Sequence, residues 1–98
     1  MIAVFVTFRY GDDFDERAVQ TIADGARAKF EGLPGLRSKL FAVDAARREA
    51  TNVYVWDSDA AAAAFFTAER VESVAALYRA RPTIAFVPVA ALVENPRA

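Results

Sequence analysis

The stretch from Ile2 to Tyr10 constrains this chain most, because it is apolar on both sides of the strand it encodes. Side chains alternate across a strand, so Ile2, Val4, Val6 and Phe8 share one face while Ala3, Phe5 and Thr7 share the other. Such a strand is stable when both of its faces are covered. A domain of 98 residues has enough chain to cover one face of a sheet with helices, which leaves the second face in need of another partner. The hydrophobic content of 55% is likewise more than one small core absorbs, and it points to a cavity and a subunit interface together.

After that strand, Gly11-Asp12-Asp13 supplies a turn and a helix cap. Glu16 stands three residues after Asp13 in the manner of a capping box. Asp12, Asp13, Asp15 and Glu16 suit the positive end of a helix dipole and are read as structural rather than as metal ligands. A helix is expected from about Phe14 to Phe30, with Ala18, Val19, Ile22, Ala26 and Phe30 along one stripe, ended by Gly32 and Pro34-Gly35. A second strand runs from Leu36 to Asp44, with Leu36, Ser38, Leu40 and Ala42 opposite Arg37, Lys39, Phe41 and Val43. The polar segment Ala45 to Ala50 then turns the chain into an antiparallel hairpin, with Arg47 and Arg48 at its solvated tip.

Asp57-Ser58-Asp59 offers a further cap, and Ala60 to Thr67 is helical on propensity. Its alanines let that helix approach the sheet or leave space above it, closed at one end by Phe65-Phe66. A second helical piece, Glu69 to Arg79, carries Val71, Val74, Ala75 and Tyr78 on one stripe and is stopped by Pro82. The last strand, Thr83 to Val93, is interrupted by Pro88, which implies an edge, a bulge or a change of sheet, with a tail able to leave its own subunit.

The element order strand, helix, strand, strand, helix, strand defines an α+β class: a ferredoxin-like βαββαβ unit over residues 1 to 98, with helices on one face of a four-stranded antiparallel sheet. The uncovered face is expected to meet a second copy, giving a dimeric α+β barrel.

Within that frame the third strand, Thr51-Asn52-Val53-Tyr54-Val55-Trp56-Asp57, stands out. Asn52, Tyr54 and Trp56 share one face, and an amide, a phenol and an indole N–H all cost free energy when buried without partners. That face reads either as a pocket wall or as amphipathic packing. The absence of Cys and His removes thiol nucleophiles, Ser-His-Asp triads, thiolate or imidazole metal sites and a proximal-His haem. No acidic spacing resembles a carboxylate metal site. A net charge of −1 offers no field for nucleic acid or an anionic membrane. With no apolar run near the roughly 20 residues of a membrane span and no basic leader, a cytoplasmic location is expected.

Leu33-Pro34-Gly35-Leu36-Arg37-Ser38-Lys39-Leu40, the hairpin, Val53-Tyr54-Val55-Trp56-Asp57-Ser58 and the alanine-rich helix ending in Phe65-Phe66 together resemble the YdhR-type monooxygenases. These belong to the dimeric α+β barrel superfamily, with the antibiotic-biosynthesis monooxygenases as wider relatives. The resemblance implies a homodimer with a cavity between each sheet and its own helices. In the cofactor-independent quinone-forming members an Asn and a Trp, four residues apart on the third strand, line that cavity, and Asn52 and Trp56 match them. The Tyr those members place after the Trp is missing from Ala60 to Ala64, so Tyr54 or Tyr78 would take its role. Arg79 or Arg81 approximates their Arg, and Phe65 joins the binding wall. The haem-degrading branch needs an axial His that this chain lacks.

The function so implied is oxidation of a small electron-rich aromatic, such as a phenol, hydroquinone or anthrone, by dioxygen with no flavin or metal. Asn52 and Trp56 would be catalytic; Tyr54, Phe65, Tyr78 and Arg79 would bind substrate. No residue is an obvious base, and Asp57 points to the opposite strand face, where it suits a helix cap. The rival class is a barrel that binds an apolar metabolite, or serves a stress response, without turnover. A lactone isomerase or lyase on the same fold stands third, and would need a general acid or base.

Overall fold

The computed structural model, which describes residues 1 to 96, places the doubly apolar first strand inside the sheet. β1 (Ile2–Arg9) pairs antiparallel with β3 (Glu49–Trp56) on one side and β4 (Thr83–Pro88) on the other, and β2 (Leu36–Asp44) flanks β3. The strand order β2-β3-β1-β4, with α1 (Glu16–Phe30), α2 (Asp59–Phe65) and α3 (Ala68–Tyr78), is the ferredoxin-like α+β fold the element order implied.

Register decides what meets what. Ile2 lies opposite Trp56, Val4 opposite Tyr54 and Val6 opposite Asn52, so these residues share the helix-covered face. There Ile2, Val4, Val6, Phe8, Tyr54 and Trp56 form a buried cluster with Val19 of α1 and Ala62 of α2. Ile22 and Val74 pack against it from α1 and α3. The opposite face of the sheet carries Phe5, Leu40 and Val87, which are 37%, 57% and 45% exposed in the single chain. Hydrocarbon stands there without a cover.

Local details depart from the sequence reading for identifiable reasons. Gly11–Asp13 forms a single 3₁₀ turn, with Gly11 in the left-handed region, so the acidic run is split. Asp15 rather than Asp13 caps α1, its Oδ1 accepting from the Ala18 amide at 3.1 Å. Phe14, just before the cap, packs on the cluster that contains Val19, as in a hydrophobic staple, while Ala18 is exposed and leaves the stripe. In β2 a bulge between Leu36 and Ser38 turns Leu36 onto the face of Lys39, Phe41 and Val43. Strict alternation had set it on the other side.

Ser58 caps α2, accepting from the Ala61 amide. Asp57 instead donates its amide to the Gly35 carbonyl at 2.8 Å and pairs with Arg37. α3 ends before Pro82 is reached: Arg79 adopts a left-handed conformation at φ 58° and returns its N–H to Ala75. β4 is an edge strand, one of the three arrangements Pro88 allowed, and it stops there. Val89 donates to the Met1 carbonyl at 3.2 Å, and residues 89 to 96 continue without regular structure rather than as strand to Val93.

Candidate functional site

The inner face of β3 presents Tyr54 and Trp56 with nearly parallel rings, 6.1 Å between centroids and 8° between planes. The end of α2 lowers two more rings onto them. Phe65 lies 5.0 Å from Trp56 and 5.6 Å from Tyr54, and Phe66 meets Tyr54 edge-on at 4.9 Å. The alanine run makes that approach possible. Ala62 is fully buried, and a Cβ placed on Gly35, at φ +84°, would stand 3.0 Å from the Ala61 methyl. Small side chains on both sides let the helix sit close enough for its terminal phenylalanines to cover the strand.

Two polar atoms in this apolar layer have no hydrogen-bond partner: the indole Nε1 of Trp56 and the Nζ of Lys39. Trp56 as a whole is 2% exposed. An unsatisfied buried donor costs on the order of 1–3 kcal/mol, so two of them on one face of the sheet call for an explanation. Lys39 comes from β2 directly opposite Tyr54 and rests among rings, with Nζ 3.4 Å from the Phe41 centroid, 4.4 Å from Tyr54 and 5.0 Å from Phe30. Burial draws its ammonium down to about 7.

Asn52 is satisfied. Its Nδ2 donates to the Tyr78 hydroxyl at 3.0 Å; Tyr78 stacks on Phe8 at 4.0 Å, and the Tyr10 hydroxyl donates to the Tyr78 carbonyl at 2.9 Å. Burial, seconded by Tyr78, pushes the Tyr10 phenol up to about 12. Tyr54 is raised by burial first and then by Tyr78, against a smaller lowering from Arg70. Tyr78 is raised by burial, partly offset by its bond to Asn52.

A cavity of about 290 Å³ opens between this face and the helices. Phe30, Leu33, Tyr54, Phe65, Val74 and Leu77 give it apolar walls, and Lys29, Arg70 and Ser73 give it a polar rim without a carboxylate. The Arg70 guanidinium lies 4.4 Å over the Phe65 ring. On the far side of Phe30 a second cavity, of about 490 Å³, is bounded by Leu36, Lys39 and Phe41 and by the charged groups Arg27, Glu31 and Arg37.

Of the residues singled out from sequence, Tyr54 and Phe65 line the first cavity, and Trp56 sits one layer behind Phe65. Asn52 and Tyr78 are brought to each other, buried outside that lining. Arg79 stands exposed at the end of α3, away from the lining, and Arg81 is engaged with Glu72 through two contacts of 2.8 and 3.0 Å. The cations at the rim are Arg70 and Lys29. Lys39 is not singled out by residue type or motif, and its place on the strand face of Phe41 and Val43 is the only signal the sequence carries for it.

No family model matches the chain, and no curated protein is similar to it. Solved structures share its fold. Rv0793 of Mycobacterium tuberculosis superposes with a TM-score of 0.63 at 17% identity, over 97% of this chain and 98% of its own. The monooxygenase of the ActVA-Orf6 gene of Streptomyces coelicolor, solved in complex with nanaomycin D, gives 0.62 at 21%, over 96% and 92%. A Deinococcus radiodurans protein, provisionally classed as an antibiotic biosynthesis monooxygenase, gives 0.61 at 14%, over 99% and 100%. These likenesses establish the fold, that of the antibiotic biosynthesis monooxygenase domains. Among the described residues no helix is long and apolar enough to cross a membrane.

Proposed function

We propose that this protein is a monooxygenase that oxidises a small electron-rich aromatic compound with dioxygen, without flavin or metal, in the cavity between sheet and helices. The observation that carries the reading is the orphaned indole N–H of Trp56, a donor held dry one ring behind the Phe65 wall of the cavity, which an oxygen acceptor would satisfy. The fold shared with antibiotic biosynthesis monooxygenases supports it, and the Pro34-Gly35 entry with Trp56 on β3 favours the YdhR-type branch.

For an anthrone-like substrate, dioxygen alone closes the balance. The substrate loses a proton and passes one electron to dioxygen; substrate radical and superoxide combine in a new C–O bond, the peroxide takes up the proton, and loss of the remaining C–H proton breaks the O–O bond, so that the carbonyl forms and the outer oxygen leaves as water. One oxygen atom stays on the product. The protein's part is to stack the ring, hold the anion and keep water out. Tyr54 and Phe65 supply the stacking wall and Arg70 and Lys29 face the phenolate charge; Trp56 Nε1, one layer behind Phe65, donates to the peroxide oxygen once the Phe65 ring swings aside. Asn52 holds Tyr78, and through it the helix that carries Arg70 and Ser73.

The uncovered face belongs to the same reading. Phe5, Leu40 and Val87, with Val53 and Val55 on the same side, suit a second copy of this sheet in a homodimer. Replacement of Trp56 by Phe tests the site, since it keeps an aromatic ring there and removes the N–H. Oxygen uptake should fall tenfold or more, in line with the roughly 100-fold loss typical of an oxyanion donor, while phenols still bind. Equal uptake by the variant would take the indole out of the chemistry.

A further inference from the structure

We propose that Lys39 is the proton acceptor of this site: its uncharged amine takes the hydroxyl proton of a bound phenol, and the ammonium so formed rests on the faces of three rings. The proposal rests on the reading above for the oxidation that follows, though not for the proton transfer itself.

The geometry sets two tendencies against each other. Nζ is cut off from water and lacks a hydrogen-bond partner, which favours the neutral amine. Phe41, Tyr54 and Phe30 turn ring faces toward it at 3.4, 4.4 and 5.0 Å, which favours the cation. A base of that kind is poised near neutrality, as general-base catalysis requires. The charged and titratable groups around it do not fix its state. Tyr54 on β3 is held protonated by burial; Arg27 and Glu31, at the end of α1 and just beyond it, face each other at 3.8 Å; Arg37 on β2 is turned to Asp57; Lys29 lies on the rim of the other cavity. Without a carboxylate partner, the amine has a proton to gain from a ligand rather than from a neighbour.

Phe30 is the residue common to both cavity linings. It separates the ring-lined space in front of Tyr54 from the space beside Lys39, and a turn of its side chain opens one to the other. A phenol stacked on Tyr54 then brings its hydroxyl to Nζ. The O–H bond breaks, the N–H bond forms, and the electron pair left on oxygen makes the electron-rich phenolate that dioxygen oxidises in the following step. The substrate class is thereby narrowed to aromatics bearing an ionisable hydroxyl.

The chain has two lysines, Lys29 and Lys39, and one tryptophan, so each signal needed is separable. Carbon-13 label at lysine Cε follows the two amines, and para-nitrophenol, coloured as phenolate and colourless as phenol, serves as a probe that dioxygen does not consume. Below the free probe's own ionisation, binding to the wild-type protein, read by quenching of Trp56, should produce the phenolate colour. It should also move the Lys39 signal to its ammonium position and leave Lys29 in place. Lys39→Met should bind the probe colourless and lose about 100-fold in oxygen uptake with oxidisable phenols. A Lys39 signal that titrates together with Lys29, a bound probe that stays colourless in the wild type, or a probe that does not bind would each overturn the proposal. Proton transfer to Lys39 without oxygen uptake from any phenol would uphold it and remove the monooxygenase reading instead.

Discussion

Each polar side chain on the inner face of β3 has a distinct energetic signature. Asn52→Ala strips the Tyr78 hydroxyl of its buried donor and should cost about 1–3 kcal/mol in urea unfolding. Trp56→Phe deletes a donor that is already unpaired and should change stability by no more than about 1 kcal/mol, because the lost ring volume is offset by the lost desolvation. Lys39 makes stability depend on pH. Above about pH 7 the folded chain holds the amine, whereas the unfolded chain stays protonated up to the usual lysine range near 10.5. Over that interval the unfolded state binds one more proton and stability rises with pH; below about 7 both states carry it and the full cost of the buried ammonium is felt. The thermal midpoint should therefore climb between about pH 7 and 9, and Lys39→Met should lose the climb and be the more stable protein at acidic pH. Above the ordinary range of tyrosine the sign reverses, since Tyr10, Tyr54 and Tyr78 resist ionisation when folded. The alternation of Asn52, Tyr54 and Trp56 was legible because period two is a property of the strand alone. Lys39 was not, because its rings arrive from α1, β2 and β3, and only pairing brings them together.

At the scale of elements, the close seat of α2 on the entry to β2 governs the site. Gly35→Ala combines an unfavourable φ of +84° with a methyl 3.0 Å from Ala61, and should cost roughly 1–3 kcal/mol, measured by urea unfolding. It should also lift Phe65 and Phe66 from Trp56, which a change in indole fluorescence would register. Helices and strands were legible in number, order and approximate span, because hydrophobic period and turn residues are local signals. Their ends were less so. Asp15 outcompetes Asp13 as a cap once Gly11 starts a 3₁₀ turn, and Arg79 closes α3 in a conformation more usual for glycine. The bulge that turns Leu36 inward is set by pairing with Trp56 and Val55, and a single strand carries no mark of it. Arg70 likewise reaches the rim through the break between α2 and α3, whereas matching residues by spacing led to Arg79.

For the whole molecule, a strand apolar on both faces already implied a sheet with one face covered by helices and one left open, the face on which we propose a partner copy. Leu40, the most exposed large apolar residue of the open sheet face, tests that partner directly. Leu40→Lys should shift sedimentation from dimer toward monomer with the far-ultraviolet spectrum unchanged; a monomeric wild type would remove the homodimer. Charge, composition and the missing His and Cys narrowed the chemistry to what an aromatic pocket with cations can do, but the substrate is a property of the cavity, which forms only when four elements meet. The central claim, that this cavity directs dioxygen onto an aromatic ring without a cofactor, is tested most directly by mass analysis of the product formed under isotopically heavy dioxygen. Purified protein stripped of metal and flavin would be incubated with an anthrone or hydroquinone panel. One heavy oxygen atom in the product, at a rate that falls in Trp56→Phe, is the predicted result. Bound substrate recovered unchanged and unlabelled across the panel would contradict the account and leave a barrel that binds without turnover.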